Sequence, residues 1–134
     1  MRIISSKVHT MIGLVVGVAL IVAPWLFQFS DVNAAKWSAI IIGIIGALSE
    51  LTSTSPSSPL KLVPMRAHLA MDVVLGIVLA LSPWLFGFSD EKTNAWLPHL
   101  IVGILIIAYA LMTRPDDAAR VSRPVHEAPP RPAP

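Results

Sequence analysis

The sequence predicts an all-α membrane protein with four transmembrane helices arranged as two tandem two-helix repeats. Three observations predict it. Of the 134 residues, 54% are hydrophobic and only 13% are charged, against about 25% charged in an ordinary soluble domain. The few charges leave four gaps, because residues 8 to 30, 37 to 49, 73 to 89 and 93 to 113 contain no Asp, Glu, Lys or Arg. Finally, an eight-residue segment in the first half returns almost unchanged in the second.

The length is enough for one domain. A net charge of +2 is too small and too scattered for a nucleic-acid footprint, so no nucleic-acid partner is expected. The absence of Cys removes disulfides, thiolate metal sites and cysteine nucleophiles together.

A helix needs about 20 mostly apolar residues to cross the hydrocarbon. Three of the uncharged stretches approach or exceed that length. The second reaches about 18 residues over 34–51 if Lys36 snorkels outward and Glu50 lies at the headgroups. The first run follows Arg2 and Lys7 and has the look of a signal peptide. Its later copy identifies it as a span instead.

In that copy, Pro24-Trp25-Leu26-Phe27-Gln28-Phe29-Ser30-Asp31 recurs as Pro83-Trp84-Leu85-Phe86-Gly87-Phe88-Ser89-Asp90, with seven of eight positions identical at an offset of 59. The same offset relates Gly17 to Gly76 and Trp37 to Trp96, and a one-residue slip then relates Gly43 to Gly103. Each unit is thus helix, short loop, helix. Two crossings return the chain to its starting side, so the units are expected to be parallel and related by a pseudo-two-fold axis along the membrane normal. The expected division is an N-terminus at 1–8, repeat 1 at 9–51, a linker rich in Ser, Thr and Pro at 52–66, repeat 2 at 67–113, and a disordered Pro-rich tail at 114–134.

Ser82-Pro83-Trp84, with its variant Ala23-Pro24-Trp25, resembles the SPW repeat family of small bacterial integral membrane proteins over about residues 9 to 113. The resemblance implies two transmembrane helices per repeat, with the motif in the first. It implies no biochemical activity, and Ala23 departs from the Ser of the pattern.

Lys and Arg set the orientation. Eight lie on the side of the termini and linker and two, Lys36 and Lys92, on the other. The positive-inside rule then puts both termini in the cytoplasm of a bacterial cell membrane and the two Phe-Ser-Asp turns outside.

Pro24 and Pro83 lack the N–H that would bond to Leu20 and Leu79, so each odd-numbered helix is expected to kink near its outer end. Ser82 is a candidate donor to a carbonyl freed in this way, and Ala23 cannot be one. Trp25, Trp37, Trp84 and Trp96 flank the outer turns, where indole rings anchor at the membrane interface. The sharper reading makes them, with Phe27, Phe29, Phe86 and Phe88, a site for a lipid or apolar ligand. Ser30, Asp31, Ser89 and Asp90, with Asn33 and Asn94, are expected to cap helices and form turns rather than to bind a cation.

Glu50 and Asp72 are the only acidic candidates inside the spans. Both belong near the cytoplasmic boundary, with Asp72 paired to Arg66 or hydrated rather than serving a proton relay. His9, His68 and His126 fall on the cytoplasmic side and His99 on the outer side, and no metal cluster is expected of them. No Ser-His-Asp or HExxH arrangement appears. Gly13 and Gly17 form a GxxxG whose use is packing within the bundle or a homo-oligomer seam.

The resulting expectation is a non-enzyme without cofactor, with a structural or interaction role and membrane lipid as its partner. Its protein partner is not legible. The rival is a small transporter or lipid-binding protein using the outer aromatics.

Overall fold

The computed structural model describes residues 2–115. Four helices make up the fold: α1 (Ser6–Leu26), α2 (Asn33–Thr52), α3 (Met65–Leu85) and α4 (Thr93–Met112). Each has 20 or 21 residues, or about 30 Å at 1.5 Å per residue, which matches the hydrocarbon core. All four are long and apolar enough to cross a membrane. Among the described residues there is no strand, only two single-residue bridges. The tail from 116 onward, with His126 and the disorder expected there, lies outside the described residues.

α1 lies along α2 and α3 along α4, and these are the two extensive pairings. Both rest on glycine. A Cβ on Gly43 would stand 2.7 Å from the Gly17 carbonyl oxygen, and one on Gly103 would stand 2.6 Å from that of Gly76. Side chains are excluded there, so the two backbones of each pair meet directly. The GxxxG of α1 is used inside the bundle: Gly17 faces Gly43 and Ala47, while Gly13 leaves room for the Glu50 side chain. α2 joins the pairs through α3, whereas α1 and α4 touch only sparsely.

Both odd-numbered helices stop in the same way. Pro24 and Pro83 each stand third from the helix end. The Phe29 N–H then reaches back to the Pro24 carbonyl at 2.8 Å, and the Phe88 N–H to that of Pro83 at 2.8 Å. The intervening residue is left-handed in both turns, Gln28 at φ 57° and Gly87 at φ 70°. This is a Schellman closure, and its C′ position favours glycine because a Cβ is strained there. The chain past each proline therefore ends the helix.

At the opposite end, where the described termini lie, Ile3 and Ile4 donate backbone N–H bonds to the Met112 carbonyl, and Arg114 donates to that of Ile4 at 2.9 Å. The linker between the repeats is more than a connection. Ser53, Ser55 and Ser58 are buried, with the Ser55 hydroxyl donating to the Ser6 carbonyl at 3.0 Å and Ser58 to that of Glu50 at 2.5 Å. The Ser58 hydroxyl thereby serves one of the last carbonyls of α2, which has no intrahelical N–H, and Ser55 ties the linker to the start of α1.

Candidate functional site

The motif residues singled out in the sequence divide into structural tasks. Pro24 and Pro83 are fully buried. The Ser82 hydroxyl donates to the Leu79 carbonyl at 2.7 Å, as its position before Pro83 suggested. Trp25 and Trp84 turn outward, 61% and 55% exposed on the protein surface, and Trp37 does likewise. Phe29 and Phe88 turn inward instead and pack with Ala23, Ala35, Ala39 and Ala95. The aromatic residues of the two turns therefore separate into an outer and an inner set.

The capping expectation is corrected. Val32 and Lys92 occupy the N-cap positions of α2 and α4, and neither makes a side-chain capping bond. Asp31 instead accepts from Lys92 Nζ at 2.7 and 2.8 Å. Asn94 Nδ2 donates to the carbonyls of Phe27 and Gln28 at 2.7 and 3.2 Å. These polar groups tie the first turn to the second. Ser30 and Ser89 are half-buried, and Asp90 is exposed. The Lys92 ammonium holds the Asp31 carboxyl below the usual carboxylate range.

His99 sits under the same turns, buried between Phe29 and Phe88 at ring-centroid distances of 5.4 and 5.0 Å. Its Nδ1 lies 2.7 Å from the Ala95 carbonyl oxygen, and its Nε2 lies 3.0 Å from that of Ala35. The ring holds α4 against α2.

The most concentrated chemistry is at the other end, and there the sequence reading fails. His9 and His68, expected on one side but not as members of a cluster, have ring centroids 5.3 Å from each other. Glu50 and Asp72 do not face water at the helix ends: both side chains are buried inside the bundle. All four are buried together, with His9 Nε2 2.9 Å from Asp72 Oδ2 and 3.5 Å from Glu50 Oε1. His68 Nε2 lies 3.2 Å from Glu50 Oε2 and 3.3 Å from Asp72 Oδ2. One ligand-type atom from each residue falls within 4.8 Å of every other, a set that could hold a metal ion. α4 completes the wall: Tyr109 stacks on His9 at 4.4 Å, and the Thr113 hydroxyl lies 2.8 Å from His9 Nδ1.

Helical position explains the convergence. His9 and His68 are each the fourth residue of their helix, Asp72 follows His68 by one turn, and Glu50 is third from the end of α2. A signal was present in the sequence, because His9 and His68 differ by the same 59 residues as the repeated motif. The carboxylates are not duplicated. At that offset Gly13 corresponds to Asp72, so the first unit has a gap where the second has an acid. Glu50 fills the gap across the helix pair.

From this cluster an apolar cavity of about 440 Å³ extends along the bundle to Phe29 and His99. Residues of α1 and α4, which touch only sparsely, form much of its lining, and Ile12, Phe27 and Leu105 there are exposed. Gly46 also lines it.

Four apolar spans packed around an internal polar site define a multi-span, all-α membrane protein. The chain belongs to the SPW repeat family, whose SPW repeat domain matches residues 7–113. That span contains His9, Glu50, His68 and Asp72 as well as both Pro-Trp motifs. No curated protein and no solved structure matches the chain.

Proposed function

We propose that this protein is a non-catalytic binding protein of the bacterial cytoplasmic membrane, with both termini in the cytoplasm, that holds the hydrocarbon chain of a membrane lipid in the groove between α1 and α4. The observation that carries this reading is the cavity. Its walls are apolar from Val16 to Ile106, with four polar groups, His9, Glu50, Asp72 and Tyr109, at one end and the His99 ring alone at the other. Such a distribution suits an amphiphile with one long tail. From His9 to Ala23 is 14 residues, or about 21 Å along the helix. That exceeds half of a hydrocarbon core about 30 Å thick, so a tail lying in the groove would cross the midplane.

Eight Lys and Arg against two support the orientation. The outward Trp25, Trp37 and Trp84 suit interface anchoring better than ligand binding, and this moves the apolar site from the outer aromatics to the groove. The structural or interaction role expected from the sequence is the competing reading.

Mass spectrometry of the full chain, released gently from membranes, tests the proposal and gives the number of copies per particle. Bound lipid is expected on wild-type protein. Gly46→Leu is the informative variant, because a Cβ there meets nothing within 4 Å and the longer side chain enters the groove. It should deplete the lipid while leaving the bundle folded. Equal lipid on both proteins, or none on wild type, would favour the structural role.

A further inference from the structure

The lone pairs at the terminal end can be counted from the hydrogen bonds around them. The Thr113 hydroxyl donates its one proton to the Tyr109 carbonyl at 2.8 Å, so toward His9 Nδ1, also 2.8 Å away, it can only accept. His9 therefore carries a proton on Nδ1, and in the neutral ring Nε2 presents a lone pair toward Asp72 and Glu50. His68 Nδ1 lies 2.7 Å from the Ser49 hydroxyl, which can accept its proton in the same way. Its Nε2 is completely buried and has no hydrogen-bond partner, and the same holds for Glu50 Oε2, although the two atoms are only 3.2 Å apart. A proton on that nitrogen would point at neither carboxylate. Two unpartnered polar atoms, both over nine-tenths buried, thus face one another across a gap. Leaving two such atoms unpaired away from water carries a desolvation cost.

One cation in that gap removes the cost. Two neutral imidazoles and two carboxylates carry a charge of −2 in a buried place, which a divalent ion cancels. Tetrahedral ligands at about 2.0–2.1 Å from an ion stand about 3.3–3.4 Å from one another. Asp72 Oδ2 is 2.9 and 3.3 Å from the two Nε2 atoms, each Nε2 has one Glu50 oxygen at 3.5 or 3.2 Å, and one ligand atom from each residue lies within 4.8 Å of the others, so a small inward shift closes the set on an ion. In metal sites the second imidazole nitrogen typically donates to a neighbouring oxygen, as Thr113 and Ser49 allow in this cluster. Two imidazoles favour a first-row transition ion over Mg²⁺ or Ca²⁺, which prefer all-oxygen shells.

We propose that His9, Glu50, His68 and Asp72 form a binding site for one divalent transition-metal ion, with Ser49 and Thr113 fixing the imidazole orientations. Three of the helices supply ligands and α4 supplies the Thr113 support, so the ion clamps the terminal end of the bundle. The site stands independently of any lipid in the groove.

The test uses the untagged full chain in detergent micelles, stripped with a chelator and titrated with Co²⁺. Saturation is expected at one Co²⁺ per chain, with the visible absorption of a four-coordinate ion and a raised melting temperature. Proton NMR of the Co²⁺ form should show two exchangeable, paramagnetically shifted signals, one from each Nδ1–H. His68→Gln and Asp72→Asn should weaken Co²⁺ binding by more than about 100-fold, and Ser49→Ala by at least about 10-fold. The proposal is overturned by wild-type protein that takes up no saturable Co²⁺, or by equally tight uptake in His68→Gln and Asp72→Asn. Should those variants fail to fold, the wild-type spectrum decides: two shifted signals support the site and none rejects it.

Discussion

The Ser82 hydroxyl occupies the place of a missing backbone donor: it bonds at 2.7 Å to the Leu79 carbonyl, the group that Pro83 leaves without its helical N–H. In the first repeat Ala23 stands at that position and Pro24 still follows. Only the second unit therefore fills the place with a hydroxyl. Ser82→Ala should lower stability by about 1–3 kcal/mol, the cost of leaving a buried carbonyl without its partner. Denaturant unfolding in micelles checks this, and a loss below 0.5 kcal/mol would mean that another donor takes over.

Gln28 and Gly87 occupy the same left-handed position in the two turns. Gln28→Gly should stabilise the protein by about 1 kcal/mol, because the Cβ penalty at φ 57° is removed. Gly87→Gln should cost about as much. Melting temperatures of the two variants should move in opposite directions, and matching shifts would contradict the closure described for these helices.

Glycines with different surroundings should respond differently to the same methyl group. In Gly103→Ala the new Cβ would press on the Ala80 backbone nitrogen and on the Gly76 carbonyl oxygen, and neither can move without shifting a helix. A loss of about 1–3 kcal/mol is expected from overpacking. Gly46→Ala meets open space and should gain about 1 kcal/mol through helix propensity. Thermal unfolding of both variants under one condition tests the contrast.

The Asp31–Lys92 pair predicts a pH dependence of definite sign. Hydrogen bonding from Lys92 lowers the Asp31 carboxyl from its ordinary value. Its contribution is therefore complete above the usual carboxylate range and is lost as pH falls through the lowered folded value. The pair is exposed, so the effect on stability is small. NMR titration of the Asp31 carboxyl should find it lowered in wild-type protein and returned toward about 3.9 in Lys92→Met. An unchanged midpoint would show that the ammonium does not set it.

Spans, repeats and turns were legible because each depends on runs of neighbouring residues. Uncharged stretches mark helices, and the duplicated Pro-Trp segment marks the turn that follows each odd-numbered one. The polar cluster was not legible, for a physical reason. Whether Glu50 faces lipid, water or the bundle depends on the rotation of α2 about its axis, which Gly17 and Gly43 set through a contact between helices. The short second span reached sufficient length only with Lys36 snorkelling at one end and Glu50 at the headgroups of the other, which gave Glu50 no inward role. The histidine offset of 59 residues was available, but its meaning needed the carboxylates. Those come from unlike positions in the two units, Glu50 from the second helix of one and Asp72 from the first helix of the other.

The bonds joining Ile3 and Ile4 to Met112 and Arg114 bring the two extremities of the bundle side by side. A short peptide could bridge residue 4 to residue 114, and the chain could be reopened between repeats at the exposed Ser57 or Leu60. Such a circular permutant would run α3, α4, α1, α2 and retain both glycine-mediated helix pairs. The succession of units along the polypeptide is thus separable from their arrangement in space, and two half-length chains expressed together should be able to reassemble into the same bundle.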